Sequence, residues 1–411
     1  MSHLHKKTIY EVLGREPVHP FPARMAPGIA LEIVAEAKEP LRVLDPMMGS
    51  GTVLALACSK GHRAIGVDID PLAVLISKVW TRAIDPKEVC ERAAEILKRA
   101  RGVFTTLRIR DAYPPNADLE TRRFVAYWFD GYARRQLASL ALAIGGVADE
   151  DVRDVLWCAF SRLIITKQAG ASLARDLSHS RPHRAFKRAP VKPFRKFISA
   201  TSRVVENCID RKNKGCEPTP DIYEGDARNL PLADGSVDLI LTSPPYLNAI
   251  DYLRCSKFSL VWMGHTIAEL RQLRTESVGT EAGRGALQDE EIRKIISKLK
   301  LVPSLRARDE SILVRYIVDM RRAVREVARV LSPRGRAVYV IGENTVRGTF
   351  IRNAVIVSAV AELSGLRFEE RRVRTLPANR RYLPPPLPGS SAAGMDARMR
   401  REVILKFSKC P

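Results

Sequence analysis

Acidic residues are scarce for a chain of this size: 46 Asp and Glu stand against 68 Lys and Arg in 411 residues, a formal net charge of +22. That imbalance favours a polyanionic partner such as DNA or RNA. Long apolar runs are absent too. No stretch approaches the roughly 18 apolar residues of a membrane span, and the opening MSHLHKKTIYEVLG lacks the apolar segment of a secretory signal. The expectation is a soluble cytoplasmic protein without membrane contact. Cysteines number seven, namely Cys58, Cys90, Cys158, Cys208, Cys216, Cys255 and Cys410, placed singly with no C-x-x-C pair. Nothing in that spacing builds a zinc or redox centre, and no metal is expected. With 45% hydrophobic and 28% charged residues, the chain has the composition of a folded protein. No internal repeat is evident.

What is present begins with an alternating pattern between His19 and Trp80. Leu41-Arg42-Val43-Leu44 reads as a strand, a Gly-rich turn follows, and Val53 to Ser59 reads as a helix. A second strand at Ala64-Ile65-Gly66-Val67-Asp68 leads into a helix from Pro71 to Trp80, the rhythm of a parallel α/β sheet. From about 85 to 215 apolar residues recur at helical spacing, as in Val89 to Leu107, Phe124 to Ala143 and Val152 to Ile165. Strand patterns resume at Asp221-Ile222-Tyr223 and Val237 to Thr242. Helices are expected near Asp251–Met263, Asp289–Lys300 and Ser311–Leu331. The end reads as strand (Ala337–Ile341), helix (Ile351–Leu363), strand (Arg367–Val373), Pro-rich loop and strand (Glu402–Phe407). The expected fold is a Rossmann-like α/β sheet in two halves, 1–84 and 216–411, separated by a mainly helical, basic insertion at 85–215.

Two segments carry the chemistry. Asp45-Pro46-Met47-Met48-Gly49-Ser50-Gly51 closes a strand and opens a helix, so its glycines expose backbone N–H groups at a helix N-terminus. Asp68 ends the next strand, where a ribose-binding carboxylate sits in dinucleotide folds. Only two glycines of the dinucleotide fingerprint align and an acid opens the turn, which argues for an adenosine ligand without a pyrophosphate. Asp226, in Glu224-Gly225-Asp226-Ala227-Arg228, ends a third strand; it reads equally as an acceptor for an adenine amino group or as a helix N-cap.

The second segment is Thr242-Ser243-Pro244-Pro245-Tyr246 at the carboxyl end of a strand. Two prolines fix the backbone and remove two N–H donors while leaving their carbonyls as acceptors. An amino group placed there meets a backbone C=O and the Ser243 hydroxyl, which orients the nitrogen lone pair. Tyr246 offers an aromatic face to a base taken out of its stack.

The pair Asp45 to Gly51 and Ser243-Pro244-Pro245-Tyr246 resembles the class I S-adenosylmethionine-dependent amino-methyltransferases that make N4-methylcytosine or N6-methyladenine. His19-Pro20-Phe21-Pro22-Ala23-Arg24-Met25 is similar to that family's N-terminal motif. The likeness covers 17–80 and 221–410. It implies S-adenosylmethionine as cofactor, held by Pro22, Ala23, Asp45, Pro46, Gly49, Ser50, Gly51, Asp68 and Asp226. It also implies a catalytic role for Ser243, Pro244, Pro245 and Tyr246. In the family a serine at the first catalytic position is commoner in cytosine enzymes. The expectation is direct methyl transfer to N4 of cytosine in DNA, with a restriction endonuclease as partner or alone. N4-cytosine methylation of structured RNA such as rRNA, N6-adenine methylation of DNA, and a non-catalytic nucleic-acid-binding protein are the alternatives.

The insertion's last third is strongly basic. Arg181, Arg184, Lys187, Arg188, Lys192, Arg195 and Lys196 run without an intervening acid, and Phe186 and Phe194 are interleaved. Such a run suits phosphate contacts supplemented by stacking, or else is a solvated loop. Pro182, Pro190 and Pro193 exclude one continuous helix there. His179 and His183 lack companions for a metal site, and Trp128 and Trp157 fall on apolar helical faces and are expected in the core. Asn248, Asp251 and Tyr252 follow the catalytic motif closely enough to line its pocket. Arg380 and Arg381, in a Pro-rich loop before the last strand, read as nucleic-acid contacts or as part of a structural connection.

Overall fold

The computed structural model describes residues 7–21, 25–177, 182–211, 218–247, 253–279, 289–301, 305–346, 349–375 and 401–409. Its strands are β1 (Arg42–Asp45), β2 (Arg63–Asp68), β3 (Ala83–Ile84), β4 (Ile209–Asp210), β5 (Asp221–Glu224), β6 (Val237–Thr242), β7 (Leu331–Gly342), β8 (Asn344–Val346), β9 (Thr349–Ile351), β10 (Leu366–Thr375) and β11 (Arg401–Lys409). Seven of them form one sheet in the order β10-β11-β7-β6-β1-β2-β5. β5, β2, β1, β6 and β7 run parallel, and β11 lies antiparallel between β7 and β10. The central strands read as unbroken apolar runs, Val43-Leu44 and Leu239-Ile240-Leu241, because a parallel sheet is covered on both faces.

From β1 the chain moves outward through β2 to β5, then returns to β6 on the other side of β1. The strand order therefore reverses between β1 and β6. The crevice at their carboxyl ends is the position where open α/β sheets bind ligands. Asp45 ends β1 and Thr242 ends β6, so both sequence motifs open from this one crevice.

Two short helices, α1 (Ile9–Leu13) and α2 (Pro27–Ala35), precede β1; α3 (Thr52–Cys58) and α4 (Pro71–Thr81) follow β1 and β2. The insertion contains α5 (Pro86–Thr106), α6 (Leu119–Trp128), α7 (Gly131–Gly145), α8 (Glu150–Ile164) and α9 (Pro193–Val205). The stretch expected as one helix over Phe124 to Ala143 is two, because Asp130 adopts extended backbone and caps α7 through the N–H groups of Tyr132 and Ala133. The part of the chain after β6 adds α10 (Leu253–Leu260), α11 (Ile267–Glu276), α12 (Glu290–Leu299), α13 (Ala307–Val330) and α14 (Asn353–Leu363). The sequence pattern does not announce α11, which buries only Leu270 and so has a weak apolar period.

Side-chain alternation divides the core. Leu239, Leu241, Val338 and Val340 pack on one face with α2, α3 and α4 and with the insertion helices. Ile240, Tyr339 and Ile341 pack on the other with α13 and α14. The insertion thus shares a continuous apolar cluster with the sheet. Trp128 and Trp157 are half-buried against it, as expected. Among the described residues no helix is long and apolar enough to cross a membrane, and no group of three His, Cys, Asp or Glu side chains gathers as a metal site.

Candidate active site

The Gly-rich loop is built on backbone that only glycine adopts readily. Gly49 and Gly51 have φ of 51° and 79°. A β-carbon on Gly51 would lie 2.8 Å from Ser77 Oγ, and Ser77 in turn donates a 2.9 Å hydrogen bond to the Gly49 carbonyl. The Phe21 ring lies 3.8 Å from the position of a β-carbon on Gly49, so the described part of the N-terminal motif reaches this loop. Pro22, Ala23 and Arg24 lie outside the described residues.

Asp45 is buried and its Oδ1 accepts bonds from the Met47 N–H at 3.1 Å and the Thr242 hydroxyl at 2.7 Å. Pro46 beside it is buried. Asp68 accepts from the Gly49 N–H at 2.8 Å and the Asp70 N–H at 2.9 Å, which ties the end of β2 to the loop after β1. These bonds use only part of the roughly four acceptor sites of a carboxylate. Burial raises the pKa of Asp45 to about 7 and that of Asp68 above its ordinary value, with mutual repulsion adding to the effect on Asp45.

Ser50 and Thr52 are both buried, and among the described residues their hydroxyl oxygens have no hydrogen-bond partner. Unmet buried hydroxyls at the start of α3, beside two glycines and two carboxylates, leave hydrogen-bonding capacity at this edge of the sheet.

The Gly225 N–H donates to the Asp68 carbonyl at 2.9 Å, which brings the turn after β5 to the same edge. The Asp226 carboxylate there is turned onto Arg228, whose Nε and Nη2 reach it at 3.0 and 2.6 Å. Arg228 also bonds Asp319 at 2.6 Å and the Glu276 carbonyl. Neither reading of Asp226 from sequence anticipates this ion pair, although Arg228 is only two residues away. The Asp226 side chain accepts the Arg228 N–H at 2.8 Å and so shapes a turn rather than a helix cap.

Ser243, Pro245 and Tyr246 are half-buried and Pro244 is buried, in irregular backbone directly after β6. The Tyr316 hydroxyl donates to the Pro245 carbonyl at 3.1 Å, and Asn344 Nδ2 donates to the Leu247 carbonyl at 2.6 Å. Asp70 caps α4 through the Leu72 N–H, accepts the Ser256 hydroxyl at 2.7 Å, and is raised by burial to about 7. Tyr316, Asn344, Ser256 and Asp70 escape sequence reading as site residues. Only Asp70-Pro71 carries a signal, that of an N-cap followed by proline at the first helical position. Asn248, Asp251 and Tyr252 lie outside the described residues.

The basic segment is seated on the insertion helices. The Ala189 N–H donates to Asp130 Oδ2 at 2.6 Å, and the Phe194 N–H to Gln136 Oε1 at 3.2 Å, which ties the segment to α7. Arg184, Lys187, Arg188, Arg195 and Lys196 are exposed, and among the described residues no carboxylate pairs with them. Arg184 stacks over the Tyr127 ring at 5.3 Å and Lys192 over Tyr132 at 5.4 Å. Phe194 is not a surface stacker: it is buried edge-on against Phe104 at 5.5 Å, because it falls in the first turn of α9 on its apolar face. Phe186 is half-buried. Arg181, His179, Arg380 and Arg381 lie outside the described residues.

Similarity to known proteins matches this geometry. The chain is 22% identical to the type II methyltransferase M.MvaI of Kocuria varians over 418 residues, covering 94% of this chain and 89% of the relative. It is 24% identical to the type II methyltransferase M.AvaI of Anabaena variabilis over 392 residues, covering 84% and 77%. No family model matches. Among solved structures, the superposition is loose: an S-adenosylmethionine-dependent methyltransferase of Methanosarcina mazei gives a TM-score of 0.33 at 10% identity over 92% of this chain and 96% of its own. The near full-length relatedness to type II methyltransferases, and a sheet whose switch point joins an acidic Gly-rich loop to Ser-Pro-Pro-Tyr, are consistent with a class I amino-methyltransferase.

Proposed function

We propose that this protein is an S-adenosylmethionine-dependent DNA methyltransferase that modifies the N4 amino group of cytosine. The observation that carries the reading is the 2.7 Å bond from Thr242 to Asp45, which sets Ser243-Pro244-Pro245-Tyr246 against the Gly-rich loop at the sheet's switch point. The relatives are type II methyltransferases along nearly the whole chain, which supports DNA as the substrate class.

The residues present fit the cofactor. The unmet hydroxyls of Ser50 and Thr52, on the tight turn that the left-handed backbone of Gly49 and Gly51 allows, suit its amino-acid part, and Asp68 retains acceptor capacity for the ribose hydroxyls. Asp45 and Pro46 close the floor, and Pro22 and Ala23 belong to the segment that Phe21 leads into. Asp226 takes the adenine end, sharing its carboxylate with Arg228. When bound, the cofactor supplies an electrophilic methyl group on sulfur.

The chain's own residues do the rest. Ser243 and the Pro244 carbonyl accept the hydrogens of the target amino group, which aims the nitrogen lone pair at the incoming methyl. Tyr246 stacks on the extruded base, and Pro245 keeps the motif rigid. No cysteine nucleophile is needed. The serine in the first motif position supports cytosine over adenine. Arg184, Lys187, Arg188, Lys192, Arg195 and Lys196, with Arg181, supply phosphate contacts, and Arg380 and Arg381 extend them. The test is labelled methyl transfer to unmethylated DNA and to total RNA in parallel, with nucleoside mass analysis. N4-methylcytosine in DNA is expected; N6-methyladenine or a labelled RNA product overturns the base or the substrate assigned.

A further inference from the structure

A proline pair makes the catalytic segment stiff but gives it few ways to anchor itself, because Pro244 and Pro245 have no N–H to donate. The anchors come from distant parts of the chain. Tyr316, in the middle of α13, donates its hydroxyl to the Pro245 carbonyl at 3.1 Å. Asn344, just past β7, donates Nδ2 to the Leu247 carbonyl at 2.6 Å. The Pro245 carbonyl lies in the peptide that enters Tyr246 and the Leu247 carbonyl one peptide beyond the one that leaves it, so the backbone is held from outside the motif both before and after Tyr246. We infer that Tyr316 and Asn344 are positioning residues that fix Tyr246 and the proline carbonyls for the target amino group.

Each anchor is itself braced. Asn353, fully buried at the start of α14, donates Nδ2 to Asn344 Oδ1 at 2.7 Å and to the Gly342 carbonyl at 2.8 Å. That fixes which end of the Asn344 amide faces Leu247. Tyr316 is 1% exposed, and burial raises its pKa far above the usual tyrosine range, so the hydroxyl keeps its proton at any working pH. Gly279, at φ +80°, packs on the same spot: a β-carbon there would stand 3.3 Å from the Tyr246 carbonyl oxygen and 3.8 Å from the Tyr316 ring. Three separate parts of the chain thus converge on one short segment, at its Pro245–Leu247 end, while Asp45 holds the residue before its start.

The inference rests on the methyltransferase reading, and its test separates the two. Methyl transfer to unmethylated DNA is measured at saturating cofactor for wild type, Tyr316→Phe and Asn344→Asp, alongside cofactor Kd and Tm. Tyr316→Phe keeps the ring and loses the donor; Asn344→Asp keeps the shape and loses the donor when ionised. Each is expected to lower kcat about tenfold, and the double variant about a hundredfold, with cofactor Kd unchanged. The Asn344→Asp rate is expected to rise toward acid pH relative to wild type, as the introduced carboxyl regains a proton to donate. An inactive wild type overturns the functional reading. An active wild type overturns the clamp alone if the variants keep kcat within about twofold, or if their losses follow cofactor affinity or Tm instead.

Discussion

The Thr242 hydroxyl donates a 2.7 Å hydrogen bond to the buried Asp45 carboxylate, so the residue before Ser243-Pro244-Pro245-Tyr246 is fastened to the residue that opens the Gly-rich loop. The strands they end are neighbours in space, with Val43 opposite Leu239 and Leu44 opposite Ile240, though nearly two hundred residues apart in sequence. Thr242→Val removes the donor and keeps the volume. It is expected to cost about 1–2 kcal/mol of stability, since a buried acceptor loses a partner. The bond lowers the Asp45 pKa against the effect of burial, so the variant carboxyl should also titrate at higher pH. Tm across pH and cofactor calorimetry check both effects; unchanged stability with unchanged cofactor affinity would show that the tie is idle.

Carboxyls removed from solvent set a pH dependence for the unliganded protein, with Asp68 and Asp154 raised in the same direction as the three largest contributors. Asp45, Asp70 and Glu343 are each raised by burial to about 7, from ordinary values of 3.8, 3.8 and 4.5. In the unfolded chain they ionise near their ordinary values, so between about pH 4 and 7 the native state binds more protons. Stability therefore falls as pH rises through that window. Tm should be higher near pH 5.5 than near pH 8. Asp45→Asn, which keeps the shape and removes the charge, should flatten part of that slope. A Tm that climbs steadily from pH 5.5 to 8 would contradict it.

Glycine substitutions separate backbone strain from helix propensity. At Gly51 the positive φ and the 2.8 Å approach to Ser77 Oγ both oppose a β-carbon. Gly51→Ala is expected to destabilise by more than about 1 kcal/mol and to abolish cofactor binding. Gly102 is exposed within α5, and a β-carbon there would meet nothing within 4 Å. Gly102→Ala should stabilise by up to about 1 kcal/mol without touching activity. Paired Tm and cofactor-binding measurements decide whether the two glycines behave oppositely.

Local chemistry explains why much of this architecture is legible in the sequence. The strand-loop-helix at Asp45 to Cys58 is marked by apolar residues, an acid and glycines in immediate succession, and the motif at Ser243 by adjacent prolines. What escapes sequence reading is what depends on the third dimension. Nothing near Tyr316 or Asn344 in sequence hints that their side chains end on Pro245 and Leu247. The pairing of Asp226 with Arg228 escapes too, because Arg228 resembles an ordinary surface arginine until Asp319 and the Glu276 carbonyl fix it. Phe194 reads as a stacking group among cations, but helix periodicity in α9 turns it inward together with Phe197.

The basic segment yields the last prediction. Arg184, Lys187, Arg188, Arg195 and Lys196 are exposed and unpaired by carboxylates among the described residues, so their charge is available to phosphates. Arg184 is also held over Tyr127, and Lys192 over Tyr132; both rings are about half exposed, at 53% and 51%. A cation stacked on an aromatic ring loses less freedom on binding than one swinging in solvent. Replacing Arg184, Lys187 and Arg188 together by alanine should weaken DNA binding by a similar factor on every sequence tested. The dependence of log affinity on log salt should become shallower by about 0.9 for each phosphate that is no longer neutralised. Cofactor affinity should stay the same, because the segment is tied to α7 rather than to the Gly-rich loop. Tyr127→Ala should weaken binding less and leave the salt slope unchanged, since the ring orients the guanidinium without carrying charge. Binding curves at three salt concentrations distinguish these outcomes, and an unchanged slope in the triple variant would place the DNA on another face.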